Sequence, residues 1–268
     1  MSGELTPGEF KSCCASFYAD DVVRRILGDS FHPGGEALTL ELLDAVKAGP
    51  DDDLLDVATG PGASAVLAAR KKGCRVTGVD LSTENLARTG ALAKERGVAD
   101  LVTVREADAE RLPFEDGSFD VVLCECAFCT FVDKTTAARE MARVLRPGGR
   151  LALSDMTLET DAFPEDLDTL LMRVACISDA VPGERLEAFF SDEGFVDLET
   201  GDARWALHEM VEDIRGRLLA VELASKLGKI DLGGIDVQEG KRMARRSIEI
   251  IEDGTVGYVT LTGRLPAR

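Results

Sequence analysis

Apolar positions along this chain change their spacing repeatedly, and each change marks an element. From Pro7 to Leu27 they fall three and four residues apart (Phe10, Cys13, Cys14, Phe17, Tyr18), which predicts a helix. Gly28 to Gly35 is dense in breakers and reads as a loop. Helical spacing returns from Glu36 to Ala48 through Leu38, Leu42, Leu43 and Val46, and Gly49-Pro50 ends it. From Asp53 short apolar runs alternate with helical stretches. Strands are predicted at 54–58, 74–79, 101–106, 119–124 and 150–155, with helices at 63–72, 83–96 and 134–145. That alternation implies βαβ units and a mostly parallel sheet. Ligands of such sheets bind beyond the carboxyl ends of the strands, so the strand-ending residues carry the interest.

Beyond Asp155 the pattern becomes richer in helix, around 164–176 and 183–193, with a strand at 194–200. Two long helical patterns follow at 205–227 and 236–253, before a last strand at 254–263. The helical pair is long for a connector and is expected to be an inserted, lid-like unit. The expected organisation is therefore a helical cap at 1–50, a sheet domain at 51–200, a helical insertion at 201–253 and a closing strand at 254–268.

Charge narrows the class of partner. The 268 residues carry 49 acids against 31 bases, a net charge of −18. Such a surface repels nucleic acid phosphates and anionic membranes, and suits a small neutral or cationic ligand. No apolar stretch approaches the length of a membrane span. The N-terminal residues lack a signal-peptide core, so the cytoplasm is the expected compartment. Seven cysteines, an odd count, point to thiols rather than a disulfide framework.

The chemistry concentrates at the strand ends. The first strand closes on Asp56 and runs into Ala58-Thr59-Gly60-Pro61-Gly62, where glycines allow positive φ and a close approach by a ligand. The following helix turns its unpaired N–H groups to the same place. Asp80 closes the second strand, 20 residues beyond Gly60, where a carboxylate accepts both hydroxyls of a ribose. Asp108-Ala109 follows the third strand, and Cys124-Glu125-Cys126 ends the fourth. Arg146-Pro-Gly-Gly149 reads as a turn into the fifth. In this order and spacing, Asp56, Gly60-Pro-Gly62, Val79-Asp80, Asp108 to Phe114, Phe119-Asp120 and Leu145 to Gly149 resemble the class I S-adenosylmethionine-dependent methyltransferases, over roughly residues 36–200.

That resemblance implies a Rossmann-like, mostly parallel, seven-stranded α/β sheet with S-adenosyl-L-methionine as cofactor. It also implies the roles. Gly60 and Gly62 pass under the methionine moiety, with Ala58 and Thr59 shaping the loop. Asp56 lies near the ammonium, and Asp80 grips the ribose with Leu81 beside it. Asp108 accepts from the adenine amino group, Ala109 offers a backbone contact, and Glu125 faces cofactor or substrate. The family's usual first glycine is Ala58 here, which tightens the turn. A nicotinamide fingerprint also fits Gly60, Gly62, Ala65 and Asp80. An NAD(P) pyrophosphate would, however, be repelled by Asp56, and that reading leaves Asp108-Ala109 and the Arg-Pro-Gly-Gly stretch without a role. A non-catalytic binder of S-adenosylmethionine stays open as a further class.

The acceptor is less legible. Cys124 and Cys126 share a strand face if the fourth strand reaches them, and Cys129 lies in the turn beyond. Cys176 falls in the expected substrate-covering region, Cys13 and Cys14 on the N-terminal helix, and Cys74 at the start of the second strand. Thiolates bind soft metalloids. The stretch Glu125 to Phe131 with Ala175-Cys176 resembles the arsenite methyltransferase branch, which implies Cys126, Cys176 and Cys129 as substrate ligands. That branch's cysteine after the glycine loop and its N-terminal cysteine motif are absent. The alternative acceptor is a small organic O-, N- or C-nucleophile enclosed by the insertion, with His32 as a polar contact or a loop-stabilising group and His208 on a helix face. No nucleic acid or membrane partner is expected, and the helices over 205–253 serve as a lid or a dimer surface.

Overall fold

The computed structural model describes residues 32–160, 179–226 and 237–267. The predicted helices over 7–27 and 164–176, with Cys13, Cys14 and Cys176, lie outside the described residues. Seven strands form one sheet in the order β3-β2-β1-β4-β5-β7-β6. They are β1 (Asp53–Val57), β2 (Arg75–Asp80), β3 (Val102–Glu106), β4 (Phe119–Glu125), β5 (Leu145–Leu158), β6 (Val196–Asp202) and β7 (Val256–Arg264). The first five pair in parallel. β7 runs antiparallel between β5 and β6. The order reverses between β1 and β4, which makes their carboxyl ends the switch point where ligands of open α/β sheets bind.

The described helices are α1 (Gly35–Ala45), α2 (Ala63–Lys72), α3 (Thr83–Glu95), α4 (Lys134–Val144), α5 (Gly183–Asp192), α6 (Arg204–Lys226) and α7 (Val237–Glu252). Strand alternation explains how they attach. Leu54, Val76, Val121 and Leu123 turn to one face, where they meet Leu42 and Leu43 of α1 and Ala65 and Ala68 of α2. Leu55, Val122, Cys124 and Leu153 turn to the other, against Met141 of α4 and Phe190 of α5. A third cluster, built on Tyr258, Met156 and Leu38, joins Leu207 of α6 and Ile250 and Ile251 of α7 to the sheet. α6 and α7 therefore enter between the last two strands and pack on the sheet through a core of their own.

Two sequence expectations change. Arg146-Pro-Gly-Gly149 is part of β5, which is 14 residues long, and not a turn ahead of it. The pairing partner of β5 steps from Phe119↔Leu145 to Val121↔Arg150, so the Pro-Gly-Gly segment is absorbed as a bulge. Arg146 fixes it there, donating to Asp53 Oδ2 at 3.0 Å and to the Ser118 carbonyl at 2.9 Å, and pairing with Asp120. The second strand begins at Arg75, leaving Cys74 just ahead of it and buried.

Candidate cofactor and acceptor cleft

β1 delivers Asp56 to the switch point from a strand whose other inner positions are apolar, and the chain then reverses through left-handed backbone. Ala58, Gly60 and Gly62 have φ of 59°, 54° and 89°. Two backbone–backbone bonds help hold the turn: the Thr59 N–H donates to the Val79 carbonyl at 2.9 Å and the Gly62 N–H to the Thr59 carbonyl at 3.0 Å. Gly62 is needed for space as well as for φ, since a Cβ there would meet the Thr89 side chain at 2.4 Å. Ala58 lacks a glycine's freedom yet adopts the same left-handed region, which is the tightness the sequence implied at this position.

Carboxylates converge on this turn. Asp56 is buried and accepts from the Thr59 hydroxyl at 2.6 Å. Burial pushes its carboxyl up to about 7, the Thr59 bond opposes this, and the charges of Glu125 and Asp80 add to the rise. Asp80, at the end of β2, accepts from the Gly60 N–H at 2.9 Å and the Ser82 N–H at 2.7 Å. Burial raises its carboxyl too, and those two amides offset part of the rise. Glu125 ends β4 and accepts from the Thr39 hydroxyl of α1 at 3.0 and 3.2 Å. His32 lies beside it, Nδ1 3.7 Å from Glu125 Oε1, while Nε2 is 3.3 Å from the Ser64 hydroxyl in the first turn of α2.

One cleft collects these groups. Asp56, Ala58, Thr59, Gly60, Asp80 and Leu81 line it from β1, β2 and the turn. Asp108 and Ala109 line it from the loop after β3, and Glu125 and Cys126 from the end of β4. Gly62 lies behind the turn, outside the lining. Sequence reasoning passed over Asn85, Ser64, Thr130 and Phe131, which also face the cleft. Ser64 and Asn85 carried a signal, each standing in the first turn of a helix that follows a strand-ending carboxylate. Asn85 Oδ1 is buried with no hydrogen-bond partner.

The cysteines separate. β4 stops at Glu125, and Cys126 turns into the left-handed region with φ of 51° while its N–H donates to the Ser154 carbonyl at 2.7 Å. Cys124 and Cys126 therefore do not share a strand face. Cys124 is fully buried in the core, and burial raises its thiol far above the ordinary range. Cys129 is buried in a 3₁₀ turn (Phe128–Thr130), its N–H donating to Asp155 Oδ2 at 3.1 Å, and does not line the cleft. Cys126 is the one cysteine among the described residues that does. His208 sits on α6, away from the cleft, its ring 3.9 Å from Glu252.

Residues 55–153 match a family model described as a methyltransferase domain. The chain is 30% identical to 27-O-demethylrifamycin SV methyltransferase of Amycolatopsis mediterranei, covering 92% of this chain and 93% of that protein. This chain belongs to the class I S-adenosylmethionine-dependent methyltransferases. The methyltransferase is also 29% identical to sarcosine/dimethylglycine N-methyltransferase of Halorhodospira halochloris, over 91% of this chain and 88% of that one. Its fold matches geranyl diphosphate C-methyltransferase from Streptomyces coelicolor A3(2), solved with S-adenosyl-L-homocysteine, with a TM-score of 0.73 at 20% identity over 98% and 99% of the two chains. Its cofactor is S-adenosyl-L-methionine. The donor set fits that group: Asp56, Asp80, Asp108 and Glu125 line the cleft, and carboxylates suit its two cationic centres and its ribose. Among the described residues no helix is long and apolar enough to cross a membrane, and no cluster of His, Cys, Asp and Glu would hold a metal ion.

Proposed function

We propose that the enzyme methylates a nitrogen or oxygen of a small organic molecule, neutral or cationic, bound at the Cys126–Phe131 end of the cleft. The observation that carries this reading is the chemistry of that wall. Cys126, Ala127, Thr130 and Phe131 offer an apolar surface with one hydroxyl and one thiol, and Glu125 is the adjoining charge. The named activities of the two relatives, N-methylation of sarcosine or dimethylglycine and O-methylation of a rifamycin, agree with a small acceptor. A metalloid acceptor needs several converging thiols. Among the described residues the cleft presents Cys126 alone, with Cys129 turned into the core.

S-adenosylmethionine supplies an electrophilic methyl on sulfur when bound. In this reading Asp80 takes the ribose hydroxyls, Asp56 the ammonium, Asp108 the adenine amino group and Ala109 a backbone contact. Leu81 flanks the base, and Gly60 and Gly62 keep the turn thin beneath the methionine end. The protein's contribution to rate is alignment of the acceptor and exclusion of water. A tertiary amine needs no base; a hydroxyl acceptor would lose its proton to a nearby carboxylate or water. The helical insertion at 201–253 is proposed to enclose the acceptor.

The deciding experiment is transfer of labelled methyl from S-adenosylmethionine to a panel of small amines, alcohols and phenols, with arsenite included, by the wild type and Cys126→Ser. Turnover of an amine or alcohol that Cys126→Ser retains supports the proposal. Turnover of arsenite alone, lost in Cys126→Ser, replaces it with the thiol-site reading. Tight cofactor binding with no turnover across the panel replaces it with a binding function.

A further inference from the structure

The acids of the cleft differ in how many donors the protein gives them. Asp80 accepts from the Gly60 and Ser82 amides at 2.9 and 2.7 Å. Asp56 accepts from the Thr59 hydroxyl at 2.6 Å and from the Ala65 backbone. Glu125 is buried too, with 3% of its side chain exposed, and receives less. Among the described residues its donor is Thr39, whose hydroxyl lies 3.2 and 3.0 Å from the two carboxylate oxygens. That hydroxyl also faces the Gly35 carbonyl at 3.2 Å. A hydroxyl has a single hydrogen, so three acceptors share it. The His32 ring stands at 3.7 Å, beyond hydrogen-bond length, and no lysine or arginine is among the described residues lining the cleft. A buried carboxylate served this thinly is costly until a ligand brings it a cation or an N–H. The wall that continues from Glu125 suits such a ligand. The Thr130 hydroxyl donates to the Ala127 carbonyl at 2.6 Å, so it keeps lone pairs rather than a hydrogen for a ligand. Phe131 adds an aromatic ring, whose face attracts cations.

We propose that Glu125 selects an amine as the methyl acceptor: its carboxylate accepts from the N–H of a primary or secondary amine and stabilises the positive charge that the nitrogen gains. The inference rests on the small-acceptor reading above, in which Asp56, Asp80 and Asp108 belong to the cofactor and Glu125 is the acid left over. The nitrogen lone pair forms the new N–C bond, and the electron pair of the broken S–C bond stays on sulfur, which ends as a neutral thioether. One positive charge thus passes from sulfur to nitrogen, and no proton has to leave before the ammonium product departs. A carboxylate beside the nitrogen therefore interacts more strongly with the transition state than with the neutral amine, which is the condition for raising the rate. An alcohol sheds its proton and ends neutral, so it draws less from the same group.

The test uses the full chain, labelled S-adenosylmethionine and acceptors in pairs that differ in nitrogen for oxygen, such as benzylamine with benzyl alcohol and aniline with phenol. Calorimetry with S-adenosylhomocysteine and with 5′-methylthioadenosine, which lacks the ammonium, runs beside it. The wild type is expected to favour the amine of a pair by about tenfold or more in kcat/KM. Glu125→Gln keeps the shape and removes the charge. It is expected to lower kcat/KM for amines by about 10–100-fold, the range of a hydrogen bond to a charged group, with S-adenosylhomocysteine bound within about twofold of the wild type. Glu125→Asp keeps the charge and should recover part of the amine activity. A wild type that favours the alcohols overturns this inference and leaves the small-acceptor reading standing. Equal losses for amine and alcohol in Glu125→Gln would make Glu125 structural and overturn it too. So would a Glu125→Gln that weakens S-adenosylhomocysteine and spares 5′-methylthioadenosine, which would give Glu125 to the cofactor's ammonium. No turnover of any pair overturns the small-acceptor reading, and this inference with it.

Discussion

The Gly60 N–H donates to Asp80 Oδ2 at 2.9 Å, so the carboxylate ending β2 is tied to the glycine turn that follows β1. Its second oxygen accepts from the Ser82 N–H at 2.7 Å. Asp80 therefore shapes the cradle as well as presenting lone pairs to the cleft. Asp80→Ala removes both functions and is expected to weaken S-adenosylhomocysteine by about 10–100-fold, since hydrogen bonds to a charged group contribute about 1.5–3 kcal/mol each and about 1.4 kcal/mol is tenfold. Asp80→Asn keeps one acceptor oxygen and should lose less. Calorimetric affinities decide this, and an unchanged Kd for Asp80→Ala would remove Asp80 from the site.

Asp56 couples the site to pH. An aspartate carboxyl ordinarily titrates at 3.8, and burial raises this one to about 7 in the fold. The folded state therefore binds more protons than the unfolded state between those two values. The sign follows: the contribution of Asp56 to stability is fully present below the ordinary value and is lost as pH rises through about 7, with a slope of about 1.4 kcal/mol for each pH unit in that window. Asp80 and Asp155 are raised by the same burial and act in the same direction. The ligand-free enzyme should melt at a lower temperature at about pH 8 than at about pH 5. Asp56→Asn should flatten that slope and melt above the wild type at the alkaline end, while binding the cofactor more weakly. A variant whose melting profile tracks the wild type across this range would show that Asp56 is not the group responsible.

Thr39 and Glu125 stand 86 residues apart in sequence, and their side chains meet at 3.0 Å. Both are buried. The bond pins α1, and with it the chain leading from His32, to the acid at the end of β4. Thr39→Val keeps the shape and removes the donor, leaving a buried carboxylate with one fewer partner. A loss of about 1–3 kcal/mol in denaturant unfolding is expected. Stability within a few tenths of a kcal/mol of the wild type would mean that water replaces the hydroxyl.

Local pattern made much of this molecule readable. The helix predicted at 63–72 is the helix formed, and the strand-ending acids Asp56 and Asp80 reach the cleft, because period and turn chemistry act within a few residues. Features set by distant partners were not readable. Cys124 and Cys126 part company because the Ser154 carbonyl of β5 draws the Cys126 N–H into a left-handed bend. The Pro-Gly-Gly segment joins β5 because Arg146 reaches Asp53, 93 residues away. His32 reads as a loop residue until α2 brings Ser64, and β4 brings Glu125, to its two ring edges.

Ala58 stands at φ 59° in the turn between β1 and α2, a conformation in which an L side chain crowds the following carbonyl. That crowding costs roughly 1–2 kcal/mol. Glycine relieves it, though the greater freedom of a glycine in the unfolded chain returns roughly 0.4–1 kcal/mol. The balance favours Ala58→Gly by about 0.5–1 kcal/mol, or a rise of about 1–3 °C in Tm for a chain of this size. The Ala58 methyl is only partly buried against the core, so little packing is lost. Ala58→Val should act oppositely, because a β-branched residue at positive φ is a genuine outlier; it should lower Tm and weaken the cofactor by displacing Thr59, whose hydroxyl holds Asp56. Paired melting curves and S-adenosylhomocysteine titrations of the two variants test the point. If Ala58→Gly melts below the wild type while Ala58→Val matches it, the turn is not under the backbone strain that its φ implies.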